Sequence, residues 1–235
     1  MAEPWWKLNP ETKAVVAEAL RRHAPRMRLV EETDALVARG PFDVGHDGQL
    51  LGRFLIEIAF DPETAEAAHR VTETAGRIPR TLDRHINTDG TCCLAVYGEW
   101  ELTSPDLSLG AFLSGPVRHF FLSQLHFEGH GVWPFDQRAH GLPGMIESYA
   151  EMLGVENNED AVVDTLALLL RSEMKGHWRC PCGSGARLRN CCRGRFAVLK
   201  EKWSLAGVQR LMGNYLKVKR SLAPNTIEPQ FSKHG

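Results

Sequence analysis

Six cysteines in a chain of 235 residues fall in only two places: Cys92 and Cys93 side by side, and Cys180, Cys182, Cys191 and Cys192 within 13 residues. A disulfide framework spaces its half-cystines along the chain to staple distant loops. The second group has the short spacing of a metal knuckle instead: Cys180-Pro181-Cys182-Gly183-Ser184-Gly185, then Cys191-Cys192. Four thiolates so placed can close a tetrahedron around zinc, and Gly183 and Gly185 permit the tight turn between the two pairs. With all four positions taken by protein, the expected Zn2+ is structural.

The length fits one main domain and a small appendage, and 43% hydrophobic residues suffice for a core. The expected boundary is Lys175–Gly176, giving a domain over 1–175 and a knuckle with a basic helical tail over 176–235. Charge divides the same way. Between Glu173 and Arg220, twelve Lys/Arg stand against Glu173 and Glu201, a net of +10, which leaves −11 for the remainder of a chain of net −1. The longest apolar run, Ala161 to Leu170, contains Asp164 and Thr165, so no membrane span is expected. The first residues have no apolar h-region, and the expected location is cytoplasmic.

Along the first domain, Asn9 caps and Pro10 opens a helix with Val15, Val16, Ala19 and Leu20 at helical spacing, ended by Pro25. Strand-like pieces at Leu29-Val30 and Ala35-Val37 are broken by Gly40-Pro41, and Asp47-Gly48 reads as a hairpin turn. Phe54, Ile56, Ile58 and Phe60 alternate with other residues as in a half-buried strand. Asp61 to Pro79 reads as less regular and loop-rich, and Asp89-Gly90 turns the chain just before Cys92. Helices are expected at Leu107–Phe121, Pro143–Leu153, Asp160–Met174 and Phe196–Leu222, then a frayed tail from Ala223. The fold class is therefore α+β.

Around the paired cysteines, His85-Ile86-Asn87, Gly90-Thr91-Cys92-Cys93-Leu94 and Trp100 resemble the active-site stretch of ubiquitin-conjugating enzymes. That family carries His-Pro-Asn, Gly-x-x-Cys-Leu and a following tryptophan. The order of helix, strand meander, irregular segment and helices is also similar, over roughly residues 10 to 150. Ile86 stands where the family has proline, and Asn87 is closer to Cys93 than in the eukaryotic enzymes; diverged bacterial members from ubiquitin-like conjugation and antiviral operons are most similar. The resemblance implies an antiparallel sheet meander flanked by helices, and a thioester-forming nucleophile at Cys93. It implies Asn87 as the oxyanion-steadying amide and His85 as its structural companion. It also implies three partners: a ubiquitin-like modifier, a separate activating enzyme and a protein substrate. Asp89, just before the cysteines, is a candidate to orient or deprotonate the incoming amine, or simply a turn residue. The Cys180–Cys192 stretch looks like the SEC-C motif, named for the tail of the SecA translocase.

Rival readings remain. His119, His126, His130 and His140, with His85, could serve Cys93 in a cysteine hydrolase or bind metal, although Gly129 and Gly131 speak against a helix under His126 and His130. Gly131 to Phe135 reads as a loop packed over the core. No Gly-x-x-x-x-Gly-Lys-Ser/Thr phosphate loop is present, so an ATP-dependent step belongs to another chain. Arg179, Arg187, Arg189, Arg193 and Arg195, continued by Lys200, Lys202, Arg210, Lys217, Lys219 and Arg220, form a face for an acidic protein or nucleic acid. A non-catalytic zinc adaptor is the alternative function.

Overall fold

The computed structural model describes residues 3–63, 65, 69–87, 89–94, 99–135, 139 and 141–222. They are mixed helix and sheet, in two compact units, Met1–Arg138 and Ala139–Gly235. No helix among the described residues is long and apolar enough to cross a membrane.

In the first unit, α1 (Trp5–Leu8) leads into α2 (Pro10–His23). The Asn9 side chain accepts from the Thr12 amide at 3.0 Å, which satisfies one of the orphan N–H groups of the first turn. The strands β1 (Arg28–Glu31), β2 (Leu36–His46), β3 (Gln49–Ala59) and β4 (Arg70–Glu73) then form an antiparallel sheet in sequence order. Asp47 and Gly48, at φ 49° and 78°, make the two-residue hairpin between β2 and β3.

One expectation needs correction here. Gly40-Pro41 does not break the chain, because β2 runs through it. Pairing with β1 stops at Arg39, so Pro41 meets only β3 and its missing N–H costs no ladder bond on the open edge. Gly40 is required by a close approach: a Cβ there would lie 2.6 Å from the Arg26 carbonyl oxygen. Within the loop-rich Asp61–Pro79 stretch, Arg70–Glu73 forms β4.

Phe42, Val44, Phe54, Ile56 and Ile58 build the buried face of the sheet. α5 (Arg118–His130) lies against it, and α4 (Leu109–Phe112), which packs on α2, leads into α5 through a wide helical turn at Leu113–Val117. Pro116, which has no N–H to give, sits in that wide turn. The Phe54 and Phe121 rings meet at 4.5 Å between centroids. α5 runs nine residues past the expected end at Phe121, so His126 and His130 are on a helix after all, with rings stacked at 4.2 Å. Gly129 is tolerated in the last turn, and Gly131 closes the helix at φ 72°.

The second unit holds α6 (Gly141–Leu153), α7 (Glu159–Leu170), the cysteine knuckle, α8 (Arg193–Lys202) and α9 (Leu205–Leu222). Its interior gathers Tyr149 and Leu153 of α6, Val162, Leu166 and Leu169 of α7, and Val208, Leu211 and Tyr215 of α9. Whereas the sequence boundary at Lys175–Gly176 leaves α6 and α7 with the first domain, these helices pack on α9. Leu188 and Phe196 are spent beneath the knuckle itself, and α9 is covered by α6 and α7. The single basic helix expected over Phe196–Leu222 is two helices. They part at Trp203, whose ψ of 131° leaves the helix, and the Ser204 hydroxyl accepts from the Gly207 amide to start α9. The expected tail from Ala223 lies outside the described residues.

Candidate active-site turn and metal centre

The segment carrying Cys92 and Cys93 is a short extra edge of the sheet. Thr91 pairs antiparallel with Thr72 of β4, and the Cys92 amide donates to the Val71 carbonyl at 2.7 Å. On its other side Cys92 pairs with Ile86, and the Cys93 amide donates to the His85 carbonyl at 2.8 Å. The Leu94 amide then bends back to the Cys92 carbonyl at 3.1 Å, a three-residue turn with Cys93 at its apex. Alternation along the strand and this turn separate the two thiols. Cys92 is buried, 6% exposed, and Cys93 is exposed. Burial, and the nearby charge of Glu73, push the Cys92 thiol up to about 12, so it stays protonated. Protein crowded around the Cys93 sulfur raises that thiol as well. Leu94 and Trp100 pack on the core beside them; Trp100 is in α3 (Glu99–Thr103), and its ring lies 5.4 Å from Phe112.

Three of the sequence candidates surround this turn. The Asn87 side-chain amide donates to the Thr91 hydroxyl at 3.0 Å, and the Asn87 backbone N–H donates to the Thr91 carbonyl at 2.8 Å. One carboxylate oxygen of Asp89 accepts from the Thr91 hydroxyl and backbone N–H, at 2.6 and 3.0 Å. Those bonds hold Asp89 below the usual carboxylate range, which makes it a turn-former and a weak base. His85 is left-handed, φ 52°, and its ring packs edge-on against Trp133 at 4.7 Å. The loop after α5 thus packs inward through Trp133, as expected, while Val132 and Phe135 are exposed. His119 faces Phe135, and His140 lies outside the described residues.

Sequence reasoning missed what holds His85 in that conformation. Gln124 of α5 is fully buried, and its amide donates to the Arg84 carbonyl at 2.8 Å while its oxygen accepts from the Arg84 guanidinium at 2.7 and 3.1 Å. The guanidinium also lies over the Phe127 ring at 4.5 Å. Gln124 and Arg84 therefore clamp the turn whose carbonyl receives the Cys93 amide.

In the second unit, the Cys180 amide donates to the Ala186 carbonyl and the Leu188 amide to the Trp178 carbonyl, both at 2.8 Å, which builds a small hairpin. Gly183 and Gly185, at φ 93° and 73°, take the chain around its tip. A 3-10 turn at Leu188–Asn190 then delivers Cys191 and Cys192 to the start of α8, with Leu188 and Phe196 fully buried beneath. The sulfurs of Cys180, Cys182, Cys191 and Cys192 all lie within 4.8 Å of one another, close enough to hold a metal ion. Cys182 and Cys191 are 3.5 Å apart, as are Cys191 and Cys192. The Ser184 hydroxyl is 3.2 and 3.3 Å from the Cys182 and Cys191 sulfurs, and the Arg195 guanidinium donates to the Cys192 sulfur at 2.9 Å. Such outer partners orient ligands and offset thiolate charge. Among the described residues the histidines form no second metal-holding cluster.

No family model matches this chain, and neither does any curated protein or solved structure with which it was compared.

Proposed function

We propose that the first unit is a ubiquitin-conjugating-type acyl carrier with Cys93 as its thioester-forming nucleophile. The observation that carries this is the split of the two neighbouring thiols: Cys93 is exposed at the apex of a hydrogen-bonded turn beside β4, whereas Cys92 is buried in the core. The antiparallel meander followed by that turn and then helices is also the order the resemblance implies. In the reaction the Cys93 thiolate attacks the carbonyl that joins a modifier's C-terminus to the sulfur of an activating enzyme. The new C–S bond forms, the old one breaks, and the activating enzyme leaves as a thiolate. A substrate amine then attacks the same carbonyl, loses a proton to solvent or a nearby base, and Cys93 departs as thiolate. An amide donor at the oxyanion is worth about 3 kcal/mol of barrier. Asn87 takes that role by exchanging its bond to Thr91, and His85 supports it from the turn.

For the knuckle the ion is Zn2+. Its four Zn–S bonds of about 2.3 Å place tetrahedral sulfurs about 3.8 Å apart, close to the 3.5 Å separations here. A tetrathiolate stays loaded in a reducing compartment, in keeping with a cytoplasmic protein. When bound, the ion supplies folding energy and no open coordination position.

One observation favours the adaptor reading: Asn87 and Asp89 both spend their side chains on Thr91, so the turn stands without any catalytic duty. Incubation with modifier, activating enzyme and ATP separates the two. The carrier gains a modifier-sized adduct that thiol reductants remove, abolished in Cys93→Ala and retained in Cys92→Ala. A chain never loaded by its cognate components is the adaptor.

A further inference from the structure

From Gly176 to Leu199 the chain contains five arginines, no lysine, and no Asp or Glu. All five arginines are exposed. Arg179 and Arg187 face each other directly across the knuckle hairpin, where like charges repel and cost stability. Arg193 and Arg195 occupy the first turn of α8, which has no acidic residue to offset them, and the helix dipole disfavours cations there. Arg189 and Arg193 both approach Gly176.

Local chemistry answers only part of this excess. A metal-bound tetrathiolate carries about −2, and Arg195 is committed to it through Cys192. Asp160 and Asp164 of α7 border Arg179 along a shallow groove of about 210 Å3. Among the described residues no carboxylate lies within ion-pair distance of Arg187, Arg189 or Arg193. Aromatic rings accompany the charge: His177 is exposed, and half-buried Trp178 carries the Arg171 guanidinium over its face at 5.0 Å.

We infer that this arginine face binds a single-stranded nucleic acid, with Arg187, Arg189 and Arg193 on successive phosphates and His177 and Trp178 meeting unpaired bases. Guanidinium forks match phosphate oxygens in pairs, which explains arginine to the exclusion of lysine. A polymer with one negative charge per repeat relieves repulsion along the whole face, and aromatic rings beside it are the usual platform for single strands. An acidic protein segment would satisfy the arginines and leave the exposed His177 ring unused.

Fluorescence anisotropy of the full-length protein with a labelled 20-nucleotide oligo-dT tests this over a range of KCl. Three phosphate contacts predict a log–log salt slope of about −2 for a single strand. Arg187→Gln/Arg189→Gln/Arg193→Gln, checked for its metal content and circular dichroism, should flatten that slope to near zero and weaken binding at least 10-fold. If the triple variant fails to fold, each single Arg→Gln change should lessen the slope by about 0.7. His177→Ala should weaken oligo-dT binding without changing the slope. An unchanged slope in the arginine variants overturns the proposal. So does poly-glutamate competing as well as oligo-dT at equal charge, which returns the face to an acidic polypeptide, or a duplex of the same length binding more tightly than the strand.

Discussion

Cys92 and Cys93 share a backbone and differ in almost everything chemical. Native protein treated with iodoacetamide and mapped by mass spectrometry should be alkylated at Cys93 and spared at Cys92, whose thiol is held up to about 12. Because the Cys93 thiol is also raised, its rate should keep climbing as pH passes through the ordinary thiol range. Equal labelling of both before unfolding would contradict this. His69 offers a second residue-level test. It is buried between Phe60 and Phe112, at 4.6 and 5.6 Å, and its Nδ1 finds no partner among the described residues. Burial, opposed in part by Asp61, lowers its pKa from 6.5 to about 4. The folded ring thus stays neutral where the unfolded chain takes up a proton. Stability should fall as pH drops from 6.5 toward 4, by up to about 3 kcal/mol, and level off below. Urea unfolding at pH 7.5 and 4.5 checks it, with His69→Met expected to show the shallower decline; equal declines refute the account. At this scale the cysteines were legible from spacing and from an Asp-Gly turn. Buried His69 and Glu73 were not, because polar residues carry no sequence signal for being inside.

Among the elements, the Arg84–Gln124 clamp joins α5 to the turn before the cysteines. In Gln124→Leu the Arg84 carbonyl and guanidinium lose three hydrogen bonds, a cost of about 1–3 kcal/mol. Hydrogen exchange at the Cys93 amide, bonded to the His85 carbonyl, should quicken by at least tenfold while the Ile58 amide in β3 is unaffected. Uniform quickening of both would mean that Gln124 serves the core alone. The partners are 40 residues apart, and neither has chemistry of its own, so no local pattern reveals them. β3 was legible because Phe54, Ile56 and Ile58 alternate on one face. β4 was hidden by its length and by a buried Glu73 where the pattern calls for an apolar residue. The α8–α9 break was hidden because Trp203-Ser204 contains neither glycine nor proline.

The chain divides into two compact units, Met1–Arg138 and Ala139–Gly235, which should fail separately. Cys182→Ser removes one of the four thiolate ligands, and a strong chelator removes the ion they would hold. Metal binding of this kind contributes on the order of 10 kcal/mol to folding, so proteolysis should then open Trp178–Arg195 while the sheet of β1–β4 stays protected. Simultaneous loss of both units would contradict separate cores. Domain organisation was only partly legible, since charge and cysteine spacing mark the knuckle but not the helices that bury α9. The central claim, that Cys93 carries an acyl group, is tested most directly by intact mass of the protein from its native cells under acidic, non-reducing conditions. The account predicts a small-protein adduct that maps to Cys93 and is released by thiol. In Cys93→Ser the adduct should resist thiol and yield to hydroxylamine, as an oxygen ester does. An adduct on Cys92, one that survives both reagents, or none in wild type and variant alike would contradict it.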